Sequence, residues 1–201
     1  MNKVNYDLLM QKEIEKIKGE KPKLLLHSCC APCSTACLER IAEFFELSVY
    51  YYNPNMDTDK EFILRAEEQK KLCDILGVSC IISNYNKNEF LSEIKGYENA
   101  VEGGERCKKC FYLRLRKTAD FAKENGYEYF ATTLTVSPLK NANMLNEIGK
   151  KIEQETGVKY LPTDFKKRGG YLRSIELSSL YNLYRQNYCG CEFSKKRGKN
   201  E

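Results

Sequence analysis

The stretch "KLLLHSCCAPCSTACLERIAEFF", residues 23–45, decides the fold. Its first six residues are short, mostly apolar and bounded by Pro22 and a cysteine turn, the pattern of a strand buried on both faces. From Ser34 onward, Ala36 to Phe45 supply an apolar stripe at helical spacing, with Ser34 as the expected N-cap. A buried strand that turns directly into a helix is the opening unit of a parallel α/β sheet. Into that turn the chain packs Cys29, Cys30, Cys33 and Cys37, four of its ten cysteines, together with its only histidine, His27.

Working outward, the same alternation repeats. An amphipathic helix is expected up to about Lys18, ended by "GEKP". Downstream, "LSVYYYN", "VSCIIS", "YEYFATTLT" and "VKYLP" read as strands, separated by helices over 57–76, 88–99, 111–126 and 141–157. Gly77 stands where a left-handed helix cap is expected. A last helix is expected over 169–186. Strands alternating with helices imply right-handed crossovers and a Rossmann-like, PP-loop or HUP-like parallel sheet in a single domain. The expected layout is an N-terminal helix (1–21), an α/β domain (22–194) and a frayed basic tail (195–201).

Composition bounds the function. The chain has 201 residues, a net charge of +5 and 42% hydrophobic content, which suits one folded core. No apolar run approaches the roughly 20 residues of a membrane span, and the charged start does not read as a secretory signal. The expectation is a cytoplasmic protein with no membrane partner. In a reducing compartment ten thiols point to metal binding or redox chemistry rather than to structural disulfides.

The cysteines then sort by place. In such sheets ligands bind at the carboxyl ends of the strands, where the cysteine turn, "SPLK" and "TDFKKRGG" all fall. Cys107 and Cys110, in "CKKC" where a loop enters a helix, face the same way, and a helix N-terminus lowers thiol pKa values. With the "CCAPC" turn they supply the four thiolates of a zinc site or an iron–sulfur cluster. The adjacent Cys29 and Cys30 and the active-site position favour the cluster. Cys33 is ambiguous; Cys37, Cys73 and Cys80 read as core packing. Cys189 and Cys191, in "YCGC", read either as a two-electron dithiol able to close into a small-ring disulfide or, with Asp164, as ligands of a second, mononuclear iron. His27 reads as a neighbour that orients a ligand or passes a proton; Asp164 and Tyr188 are further proton-donor candidates. Lys140, Lys166, Lys167, Arg168, Arg173 and Arg185 are candidate RNA-phosphate contacts, and Tyr171, Tyr188 and Phe165 candidate base-stacking rings.

Five ordered segments, "HSCCAPCS", "ERCKKCFYLRL", "TTLTVSPLKN", "DFKKRGGYLRS" and "YRQNYCGCEFS", closely resemble the cobalamin-independent epoxyqueuosine reductases, the QueH family, over about residues 22–194. The resemblance implies reduction of epoxyqueuosine to queuosine at the wobble position of tRNA, with an unidentified electron donor and no cobalamin. It implies a 4Fe-4S cluster on Cys29, Cys30, Cys107 and Cys110, and a redox-active pair at Cys189 and Cys191. Two rivals share parts of the pattern. An ATP-dependent tRNA-thiolating enzyme of the same fold needs a glycine-rich phosphate loop, whereas "HSCCAPCS" has no glycine. A zinc-stabilised RNA-binding module needs one colourless metal and no catalysis.

Overall fold

The computed structural model describes residues 4–199. Its centre is a five-stranded sheet, all parallel, in the order β3-β2-β1-β4-β5. The strands are β1 (Lys23–His27), β2 (Glu46–Tyr51), β3 (Ser79–Ile82), β4 (Tyr129–Thr132) and β5 (Lys159–Tyr160). The helices are α1 (Tyr6–Lys16), α2 (Ala31–Ile41), α3 (Asp59–Leu76), α4 (Lys87–Glu93), α5 (Glu105–Glu124), α6 (Ala142–Thr156) and α7 (Gly170–Leu180). The chain reverses its direction of winding between β1 and β4, so the crevice at their carboxyl ends is the expected ligand site.

The apolar run of β1 is buried on both faces because helices cover both. Leu24 and Leu26 pack with Met10, Cys37, Leu38, Leu72 and Cys73, from α1, α2 and α3. Leu25 points the other way, into Phe111, Leu115, Leu145, Ile148 and Ile152, from α5 and α6. Gly77 ends α3 with φ 65°, the left-handed cap its sequence position implies. Cys37 and Cys73 are core residues, and Cys80 packs against the same cluster.

Element boundaries differ where a chemical signal overrode a statistical one. Helix α2 begins at Ala31 with Cys30 as N-cap, so Ser34 lies inside the helix. Pro32 in the first turn pre-sets a helical φ, and the Ser34 hydroxyl hydrogen-bonds the Cys30 carbonyl, Ser28 and Gln69. Helix α5 begins at Glu105, so Cys107 and Cys110 sit in its first turns rather than in a loop before it. Strand β4 stops at Thr132, and Thr133–Val136 winds into a 3-10 turn. Helix α7 stops at Leu180, well short of residue 186.

Of the segment expected as a basic tail, residues 200 and 201 lie outside the described residues, and Glu192–Lys199 is 3-10 helix. Among the described residues no helix is long and apolar enough to cross a membrane.

Candidate metal–thiolate site

The turn after β1 is built to expose sulfur. The Cys29 amide donates to Thr133 Oγ1 at 3.3 Å, which pins the turn to the end of β4. Cys29 Sγ and Cys30 Sγ lie 3.8 Å apart. Cys33, one helical turn into α2, brings a third sulfur, and all three Sγ atoms lie within 4.8 Å of one another. Hydrogen bonds from Cys30 and then Cys33 hold Cys29 well below the ordinary thiol pKa, while Cys30 is pushed up to about 12 and Cys33 is raised. Gln186 Nε2, from the segment before "YCGC", donates to Cys30 Sγ at 2.7 Å.

A cavity of about 560 Å³ opens beside this turn. Cys33, Cys107 and Cys189 line it, with Lys140, Gln186 and Tyr188. Behind them Cys110 and Cys191 pack in one apolar cluster with Phe90 and Ile94. Thiols from three distant parts of the chain therefore line or back one cavity at the carboxyl end of β1, and among the described residues those of Cys29, Cys30 and Cys33 are the group that lies within 4.8 Å of one another. Burial outweighs the helix N-terminus at α5: Cys107 is raised and Cys110 is pushed up to about 12, contrary to the lowering expected from the dipole. Cys189 goes the other way, down to about 5, chiefly through the Cys191 hydrogen bond and then the Lys140 and Arg114 charges, while Cys191 is raised and keeps its proton. All ten cysteines are free thiols.

The "YCGC" segment is clamped to the body of the fold by α3. Arg65, itself buried and paired with Glu61, donates to the Cys189 and Tyr188 carbonyls at 3.4 and 3.5 Å and lies over the Tyr188 ring. The Asp57 amide donates to the Gly190 carbonyl at 2.9 Å, and the Tyr188 hydroxyl to the Asp57 carboxylate at 3.0 Å. Gly190 has φ 108°, a conformation that side chains rarely adopt, and this sharp bend lets two cysteines flank it.

The remaining candidates are placed as follows. His27 is fully buried, with Nδ1 3.0 Å from Thr132 Oγ1 and Nε2 3.2 Å from the Tyr52 carbonyl. Because the Tyr52 carbonyl can only accept, Nε2–H donates to it, and Nδ1 of the neutral ring accepts from the Thr132 hydroxyl. Burial and then the Arg114 charge hold this imidazole down to about 3, so it is neutral and fully engaged. Asp164 is ion-paired to Lys166 at 2.8 Å and is not among the residues that line the cavity. Lys140 and Arg185 line it, and the Arg185 guanidinium lies over the half-exposed Tyr171 ring. Arg168 pairs with Asp7, Arg173 with Glu39 and Glu176, and Lys167 is exposed. Phe165 is in the core, where no base can reach it.

Sequence reasoning left three contributors unassigned: Arg65, Gln186 and Arg114. Arg114 had a signal, since Cys107, Cys110 and Arg114 recur at i, i+3 and i+7 on one face of α5. The donor set suits a thiolate-bound metal centre: the sulfurs of Cys29, Cys30 and Cys33 are clustered, and the buried Arg114 guanidinium interacts with Cys110, Cys29 and Cys189.

A family model described as epoxyqueuosine reductase QueH matches residues 24–197. A Staphylococcus epidermidis protein named epoxyqueuosine reductase QueH is 43% identical, over 96% of this chain and 85% of its own length. Namesakes from Streptococcus pyogenes (40% identical, 96% of this chain, 79% of theirs) and Thermotoga maritima (39% identical, 85% and 89%) extend the likeness.

Proposed function

The chain belongs to the epoxyqueuosine reductase QueH family, and we propose that it removes the epoxide oxygen of epoxyqueuosine at the wobble position of tRNA, leaving queuosine. The observation that carries this reading is the meeting of thiols from the β1 turn, the start of α5 and the "YCGC" segment around one cavity.

Turning an epoxide into an alkene consumes two electrons and two protons and releases one water. A thiolate and a thiol closing to a disulfide give up two electrons and one proton, so Cys189 and Cys191 supply the electrons: both C–O bonds break, one S–S bond forms, and the oxygen leaves as water with the Cys191 proton and a second proton from solvent. Cys189 is suited to the anionic role beside Lys140 and Arg114, and Cys191, which holds its proton, to the acid role. The single glycine between them keeps the resulting link small and easily reopened. This dithiol role is preferred to a second iron on Cys189, Cys191 and Asp164 because Lys166 holds Asp164 away from the cavity lining. Cys29, Cys30, Cys107 and Cys110 would hold a 4Fe-4S cluster, with the Cys33 sulfur packed against Cys29 and Cys30, and such a cluster would pass single electrons from an external donor to reopen the disulfide. His27 braces the ends of β1, β2 and β4, and Tyr188, whose hydroxyl is committed to Asp57, anchors the dithiol segment.

For tRNA, Lys140 and Arg185 at the cavity hold backbone phosphates and Tyr171 offers a ring to a splayed base. Lys167 extends this basic edge; Arg168 and Arg173 already have acidic partners. The substrate and the free thiols suit the cytoplasm.

The test is anaerobic purification with iron and sulfide analysis, then turnover of epoxyqueuosine-bearing tRNA under a chemical reductant. Wild-type protein is expected to carry iron and sulfide and to yield queuosine, and Cys189→Ser to keep the iron and lose turnover. A colourless protein with one zinc, or a Cys189→Ser variant as active as wild type, would sink the reading.

A further inference from the structure

Arg114 is fully buried on α5, one turn beyond Cys110. Its Nη2 donates to Asn53 Oδ1 at 2.5 Å, and Asn53 Nδ2 in turn donates to the Ser28 carbonyl at 2.9 Å, so the guanidinium is tied to the cysteine turn through β2. Its other two donor nitrogens, Nε and Nη1, are buried and have no hydrogen-bond partner among the described residues. Among the described residues no carboxylate pairs with it either: the other fully buried arginine in this region, Arg65, has Glu61, whereas Arg114 has the neutral Asn53 and the Cys110 thiol beside it. An uncompensated charge with two idle N–H groups in the interior costs several kcal/mol. The groups whose charge it feels are Cys110, Cys29 and Cys189, with Lys140 as the other cation nearby.

We infer that Arg114 is the internal counter-cation of the metal–thiolate centre, and that its free Nε–H and Nη1–H donate to sulfur atoms there. This rests on the cluster reading above and deepens it. The role is one of positioning and tuning: each electron taken up adds a negative charge beside a fixed positive one, and N–H···S bonds strengthen as sulfur becomes more negative. Arg114 therefore stabilises the reduced state over the oxidised state and raises the potential at which the centre accepts an electron. The Asn53 link fixes the fork in the plane that faces the turn, which a flexible ammonium does not reproduce.

The test compares wild-type, Arg114→Met and Arg114→Lys proteins after anaerobic reconstitution, by iron and sulfide content and by redox titration followed by absorbance and electron paramagnetic resonance. Arg114→Met is expected to bind iron and to show a midpoint lower by at least 59 mV, a tenfold fall in the reduced-to-oxidised ratio at fixed potential for one electron. Arg114→Lys keeps the charge and most of the stem, loses the fork, and is expected to fall between the two. A wild-type midpoint in either iron-loaded variant overturns the inference. Wild-type protein that binds no iron overturns the cluster reading itself, a different failure because no midpoint then exists to compare.

Discussion

Substituting Gly190 by alanine tests how the dithiol segment is held. The residue has φ 108°, and a Cβ there would lie 2.5 Å from Met56 Sδ, 2.6 Å from Met56 Cε and 3.2 Å from Arg65 Nη1. Backbone strain at such a φ costs about 1–3 kcal/mol, and forcing a methyl against the fully buried Met56 costs about 1–3 more. The bonds nearest Gly190 that dock the segment are the Arg65 donations, the Asp57 amide on Gly190, and Tyr188 on Asp57. At about 0.5–1.5 kcal/mol each they are together comparable to the penalty, so the segment lets go before the chain unfolds. Even 2 kcal/mol raises the open population roughly 30-fold, since about 1.4 kcal/mol is a factor of ten. Cys191, only 8% exposed, is the reporter. Alkylation followed by peptide mapping should show at least that acceleration at Cys191, turnover should collapse, and the urea midpoint should move little. Gly77→Ala provides the control. Its φ of 65° carries strain of about 1–2 kcal/mol, but nothing lies within 4 Å, so it should lower global stability and leave Cys191 labelling alone. Gly190→Ala protein with wild-type labelling and turnover would refute both the clamp and its role.

Two further outcomes follow from single side chains. Glu13 on α1 is held below the usual carboxylate range chiefly by Lys16, against partial burial, with help from the Tyr129 hydroxyl at 2.9 Å. Its folded pKa is depressed, so it contributes stability above the unfolded value near 4.5 that is lost as pH falls through the lower folded value. The gap in urea stability between wild-type and Glu13→Gln proteins should therefore open from pH 3 to pH 6 and stay under about 1 kcal/mol; a gap that is constant with pH contradicts the assignment. Cys33 and Cys37 lie one turn apart on α2, but only Cys33 brings its sulfur to Cys29 and Cys30. Cys33→Ser should lower iron retention under chelator challenge with little change in stability, whereas Cys37→Ala should lose about 1 kcal/mol of stability and keep its iron. The reverse pattern would mean that the two thiols have been assigned to each other's roles.

The sheet was legible because a five-residue apolar strand can be buried on both faces only between two layers of helix, and Leu24, Leu25 and Leu26 face those layers in turn. The start of α2 was misread because serine is a common cap, although Pro32 carried the better signal. The site was legible in its sulfur and illegible in its cations. Lys140 reads from the sequence as a phosphate contact, and it also lines the cavity, where Cys189, Cys29 and Cys33 raise its pKa. Arg65 could not be found, because the carbonyls it holds belong to a segment more than 120 residues away. The expected lowering at Cys107 and Cys110 failed on magnitude: a helix terminus is worth about 0.3–1 kcal/mol, and burial of a thiolate costs several times that.

The same comparison explains how this turn departs from the phosphate-binding turns of its fold class. There the first strand runs into a glycine-rich loop whose backbone amides hold an anion brought by the ligand. Here three of the turn's positions offer no free amide: the Cys29 amide is bonded to Thr133, Pro32 has none, and the Ser34 amide is bonded to the Cys30 carbonyl inside α2. What survives is the positive end of α2, and the groups it meets belong to the chain, the clustered thiols of Cys29, Cys30 and Cys33, of which Cys29 is the most readily ionised. Neutralisation then falls to side chains, Arg114 from α5 and Lys140 from the loop after β4, which a nucleotide site at this turn would not need to bury. A turn with its own anion and its own cations has no place for a triphosphate, and its free coordination chemistry is that of sulfur.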